Sequence, residues 1–179
     1  KLRITKDENN WAVEQAWNWS GGIDLLVHNA GISQRSLAVD TAYEVYERIV
    51  AVDLLAPIAL TQALLPRMVA RGSGRIAMIS SIAGKVGVPM RTAYCAAKFG
   101  IAGYADALRA EVGHLGLQVH NIYPGSVATD VSRNALTADG SKRGVSDQTI
   151  DNGIPPAIAV AQMIDEMLAG SREIIVAEG

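Results

Sequence analysis

Short apolar runs bounded by glycine or polar residues alternate along this chain with longer stretches whose apolar positions recur at helical spacing. Residues 23–28, 75–80, 117–122 and 173–177 have the length and punctuation of strands, and residues 2–4 suggest a fifth. Helical spacing covers residues 7–19, 41–71, 91–115 and 157–168, each long enough to cross over between parallel strands. Gly72, Gly116 and Gly170 stand just past the ends of the last three, where a left-handed cap costs glycine least. The alternation predicts an α/β fold with a doubly wound parallel sheet. No internal repeat or low-complexity linker interrupts it, so residues 1–179 read as one domain. Residues 132–153, rich in Ser, Asp and Gly, read as one long connection of the kind that often forms a lid.

Composition narrows the choice of partners. The 179 residues are 49% hydrophobic and 19% charged, as in an ordinary buried domain. Lys and Arg number 16 against 18 Asp and Glu, with no basic run, which argues against nucleic acid as a partner. Cys95 is the only cysteine, so no disulfide framework or cysteine-rich metal site is expected, which suits a reducing compartment; a cytoplasmic setting is the expectation. No apolar stretch is expected to reach the roughly 18 residues of a membrane span. The chain opens Lys1-Leu2-Arg3-Ile4 without an initiator methionine, which suggests a fragment whose N-terminal anchor or leader could lie upstream.

Candidate chemistry concentrates after the strands. Tyr94 and Lys98 are four apart in a predicted helix, so both project from one face. A lone pair at this spacing is usually an ordinary helix pair, but a buried ammonium beside a phenol lowers the phenol's pKa and makes an acid/base group. Ser81 closes the strand before it, at the carboxyl end where open α/β sheets hold ligands. A hydroxyl there can donate to a substrate oxygen; its plainer role is a turn or cap. No Gly-x-Ser-x-Gly elbow surrounds Ser81, and His28, His114 and His120 form no triad, so a serine hydrolase fits poorly. Asn29, Ala30 and Gly31 follow one strand, and Pro124, Gly125, Val127 and Thr129 follow another, where small residues and a Pro-Gly turn let backbone approach a flat ligand. Either segment alone reads equally well as a turn.

Taken together, His28-Asn29-Ala30-Gly31, Ser81, Tyr94-Cys95-Ala96-Ala97-Lys98 and Pro124-Gly125 with Thr129 resemble the short-chain dehydrogenase/reductase family in order and spacing. Ala138-Asp139-Gly140-Ser141 with Gly144-Val145 is similar to its dehydrogenase/reductase member 7, or hydroxysteroid-dehydrogenase-like, subgroup. The resemblance implies hydride transfer between NAD(H) or NADP(H), the latter favoured by the subgroup, and a carbonyl or alcohol. Tyr94 would be the general acid/base, Lys98 would bond the nicotinamide ribose, and Ser81 would hold the substrate oxygen. Asn29 and Gly31 would line the adenosine side, Val127 and Thr129 would meet the carboxamide, and Ala30, Pro124 and Gly125 would also contact the cofactor. It further implies a homodimer or homotetramer built on the helices at 41–71 and 91–115, where Gly100 and Gly103 permit close packing. Apolar residues Val88, Met90, Leu136 and Val145 suggest a hydrophobic substrate under a lid at 132–153.

The chain departs from the family pattern twice. Asp53 stands where the family usually has asparagine. Pro57 offers no N–H to the Asp53 carbonyl, so a kink is expected that would free this carbonyl for a water relay. The added carboxylate could instead bind Lys98. The family's glycine-rich pyrophosphate turn does not precede Asn29, and resemblance places two strand-helix units, on the order of 60 residues, before residue 2. A non-catalytic remnant acting as an interaction module is therefore the competing reading.

Overall fold

A computed structural model describes residues 6–177. Four parallel strands, β1 (Leu25–His28), β2 (Gly74–Ile79), β3 (Leu117–Pro124) and β4 (Glu173–Val176), lie side by side in chain order. The register pairs Leu26 with Ile76, Ile76 with Val119, and Ile122 with Ile174. All four lie within or beside the segments predicted as strands; the candidate strand at residues 2–4 falls outside the described residues.

Alternate side chains of the sheet enter two cores. Ile76 and Met78 of β2 and Val119 of β3 pack with Val13, Leu64, Met68, Ile101 and Leu108 beneath helices α1 (Lys6–Ser20), α3 (Ala56–Arg71) and α4 (Thr92–Val112). Ala77 and Ile122 face the other way, toward Ile154, Ala159, Met167 and Ile174, where α6 (Pro156–Leu168) covers the sheet. Apolar side chains on both faces make the sheet doubly wound, and each fully buried Leu or Met contributes roughly 1.5–3 kcal/mol. The predicted glycine caps hold: Gly72 and Gly116 are left-handed at φ 70° and 87°, and Gly170 follows α6 at φ 83°.

The crossover from β1 to β2 is helical without a break from Tyr43 to Arg71. Helix α2 (Tyr43–Val50) passes through a π-helical stretch, Ala51–Leu55, into α3. Pro57 has no N–H for Asp53, and the chain widens by one residue per turn, the Ala56 N–H reaching back to Ala51 O. The disturbance expected at Pro57 takes the form of this π-helical stretch. Helix Tyr43–Arg71 is also long and apolar enough, by length and composition, to cross a membrane, correcting the expectation that no stretch reaches that length. Here it is a crossover whose Ile49, Thr61, Leu64 and Met68 are buried.

At the end of β1, His28 is buried, its Nε2 2.8 Å from Thr61 Oγ1. Burial lowers its pKa to about 4. A neutral buried imidazole favours the fold above its unfolded value near 6.5, and that advantage is lost as pH falls from there toward 4. Urea unfolding should therefore show a loss of about 3 kcal/mol across this window. The loss should be absent from His28→Gln, and an equal loss in that variant would assign it to other groups.

Candidate active site

Because the strands are parallel, the segments after β1, β2 and β3 emerge on one side of the sheet. The two serines after β2 divide their tasks. Ser80 is buried and donates through Oγ to Lys98 O at 2.8 Å, tying the strand end to α4. Ser81 is extended, and its Oγ accepts the Ala83 N–H at 3.1 Å, capping the 3-10 turn Ile82–Gly84. Its hydroxyl lies 3.5 Å from Pro124 O and borders a cavity of about 380 Å³ lined also by Val88, Arg91, Gly125 and Ile150. Ser81 is thus a cap and an accessible donor at once.

Helix α4 presents Tyr94 and Lys98 as its spacing predicts. The Lys98 ammonium is buried, donates to Ile79 O at 3.0 Å, and lies 5.5 Å from the centre of the Tyr94 ring. Tyr94 is half-buried, and its hydroxyl has no hydrogen-bond partner among the described residues. Asp53 is 2% exposed; its Oδ1 accepts the Ile32 N–H at 2.9 Å and its Oδ2 stands 3.4 Å from Lys98 Nζ. Burial pushes the Asp53 carboxyl up while the Lys98 charge pulls it down. The carboxylate therefore stands beside the ammonium as an ion pair. An asparagine bonded to Ile32 in the same way would turn its NH2 toward Lys98, donor against donor. A Cβ on Gly31 would lie 3.1 Å from Asp53 Oδ2 and 3.3 Å from Lys98 Nζ, so glycine brings the exposed Asn29-Ala30-Gly31 backbone against the pair.

The segment after β3 is held by main-chain bonds. Gly125 donates to Val176 O at 2.8 Å, Val127 bridges Ile154, and exposed Thr129 places Oγ1 3.4 Å from Val127 O. Pro124 and Gly125 share the Ser81 cavity. Two groupings result: Tyr94, Lys98, Asp53 and Gly31 form one, and Ser81, Pro124 and Gly125 the other. Arg91 adjoins both, since it lines the Ser81 cavity and precedes Tyr94 by three residues, close enough for their charges to interact.

The connection at 132–153 is pinned. Asp147 takes hydrogen bonds from Arg35 Nε at 2.7 Å and from Arg143, while Ser132 Oγ accepts the Asp147 N–H at 2.9 Å. Leu136 is buried against Val45 and Ile49, whereas Val145 is 58% exposed. A short helix, α5 (Gln148–Asp151), lies within the segment; its polar sequence carries no helical period. Arg35, Arg91 and Asp147, distant in sequence, had no local signal by which they could be found.

The residues present fit the ribose end of a nicotinamide dinucleotide. A buried ammonium with two protein partners retains a third donor, and the exposed backbone at Gly31 has no side chain to block it. Residues 2–140 match the short chain dehydrogenase family. The chain is 42% identical over 157 residues to dehydrogenase/reductase SDR family member 7B of Danio rerio, covering 88% of this chain and 51% of that protein. It spans about half the length of the curated relatives it matches. A short-chain dehydrogenase from Streptomyces avermitilis superposes with a TM-score of 0.84 at 25% identity, covering 99% of this chain and 70% of that one. A gluconate 5-dehydrogenase from Burkholderia cenocepacia, solved with NADP and tartrate, gives 0.68 at 25% identity over 73% of this chain and 51% of that one. With the family's segments in order along a parallel sheet and most of its length matched, the chain belongs to the short-chain dehydrogenase/reductase family.

Proposed function

We propose that the protein carrying this chain is an NAD(P)(H)-dependent oxidoreductase acting on a small carbonyl or alcohol substrate. The observation that carries the reading is a free Tyr94 hydroxyl one helical turn from a buried Lys98 ammonium, at the sheet end where Ser81 faces a cavity. When bound, the nicotinamide supplies or accepts the hydride. Tyr94 gives a proton to the substrate oxygen in reduction and takes it back in oxidation. Ser81 donates a hydrogen bond to that oxygen and stabilises the charge that develops there. Lys98 bonds the ribose hydroxyls, and Asp53 and Ile79 O fix where its ammonium stands. Asn29, Ala30 and Gly31 line the adenosine side, and Pro124, Gly125, Val127 and Thr129 adjoin the carboxamide. The segment at 132–153 serves as the lid over the substrate.

NADP is favoured over NAD through the member 7 subgroup and through similarity to a dehydrogenase solved with NADP. A homo-oligomer is expected, with exposed Phe99 and the open side of Gly103 on α4 as its contact surface. Gly100 does not belong to that surface, because a Cβ there would meet Leu54 of the same chain at 3.0 Å. The test is fluorescence titration with NADPH and NADH, followed by oxidation of NADPH at 340 nm against a panel of ketones and aldehydes. Saturable binding with carbonyl-dependent oxidation is expected. A protein that binds neither dinucleotide would overturn the reading.

A further inference from the structure

Arg91 is placed unlike the other arginines around Asp147. It stands at the start of α4 between two adjoining cavities, one lined by Ser81, Val88 and Ile150, the other, of about 500 Å³, by Arg35, Arg143 and Asp147. Arg35 and Arg143 are hydrogen-bonded to the two oxygens of Asp147. Arg91 reaches the same carboxylate only at 3.6 Å, and its guanidinium has no hydrogen bond among the described residues. Three guanidiniums therefore surround one carboxylate, and the least engaged of them faces the cavity where Ser81 lies.

The backbone supports this placement. Met90, the residue before Arg91, is left-handed at φ 63°, the single non-glycine residue with positive φ in the described chain. A bulky residue in that region is strained, and such strain gathers where a side chain must be aimed. Arg91 itself caps no helix N–H with its side chain and stands at φ −134°, ψ 33°. Burial and the nearby Arg35 charge both disfavour its cationic form, with Asp147, Tyr94 and Cys95 acting against them. An arriving anion relieves this crowding of positive charge without displacing a bonded partner.

We propose that Arg91 is a specificity residue whose guanidinium takes a carboxylate or phosphate group of the carbonyl substrate, while Ser81 faces its reacting oxygen. The substrate is then not merely apolar: Val88, Ile150 and Ile154 contact its body, and an oxyanion marks its other end. The planar guanidinium suits both oxyanions, which it can bind through paired N–H donors. This inference rests on the assignment of Tyr94 and Ser81 as the reacting centre, and two separate measurements keep their failures apart.

The first measurement needs no turnover. The Arg91 Nε resonance of 15N-labelled protein, identified by its loss in Arg91→Gln and again in Arg91→Lys, is followed while inorganic phosphate or acetate is added. A saturable shift is expected, and whichever of phosphate and acetate binds more tightly names the anion. An Arg91 signal unmoved by both would overturn the proposal. The second compares NADPH-dependent reduction of a keto acid and its methyl ester, and of a ketophosphonate and its diester. The acid-to-ester ratio of kcat/KM should fall on the order of tenfold or more in Arg91→Gln, with partial recovery in Arg91→Lys. An unchanged ratio would overturn it. No turnover of any probe would count against the oxidoreductase reading, and the resonance titration would still decide the role of Arg91.

Discussion

Replacing Tyr94 with phenylalanine is expected to lower turnover by about 10²- to 10⁴-fold, the usual contribution of a positioned acid/base group, while dinucleotide binding persists. The phenol's ring lies beside Lys98, but its hydroxyl bonds no described residue, so the substitution deletes one reactive oxygen and leaves no buried group unpaired. Lys98→Met should behave differently. It removes the ammonium that bonds Ile79 O and faces Asp53, leaving a buried carboxylate alone, and both dinucleotide affinity and turnover should fall. Steady-state rates at 340 nm with fluorescence titration of NADPH separate the two patterns. Full turnover in Tyr94→Phe would transfer the proton step to another group.

Gly84→Ala is expected to destabilise the fold on the order of 3 kcal/mol and to reduce activity with it. A Cβ at Gly84 would collide with Ser80 Oγ and lie 2.7 Å from the Lys98 carbonyl oxygen, and that carbonyl is backbone within α4. Neither neighbour can yield without breaking the Ser80–Lys98 hydrogen bond that joins the β2 end to α4. Gly87→Ala is the matched control. Nothing lies within 4 Å of a Cβ there, so its unfolding free energy in urea should stay within about 0.5 kcal/mol of the parent. Equal behaviour of the two variants would show that α4 and the Ser80 turn move apart readily.

Much of this architecture is legible before any coordinates are considered. Strands such as 117–122 and helices such as 91–115 announce themselves because burial on one or two faces imposes a period on neighbouring residues. Tyr94 and Lys98 are legible for the same reason, since four residues make one turn. What lies across the fold is not. Arg35 and Asp147 meet over a separation of 112 residues, and Leu136 enters the core from a connection with no period at all. Pro57 signals a disturbed helix, but the π-helical form of the disturbance at Ala51–Leu55 has no local sequence signal. The Asp53 carboxylate was visible as a departure, while its engagement of both Ile32 and Lys98 required three elements to be placed together.

The order of the strands also bears on how the domain forms. Among the described strands, β2, β3 and β4 each pair with the one before it in the chain, so they can be added in the order of synthesis. The last strand is the exception in consequence. The Ser81 cavity counts Ala177, just beyond β4, among its walls, and Gly125 is held by Val176 O. The nascent chain therefore has α4 well before it has the complete Ser81 cavity, whose walls are finished only when β4 docks.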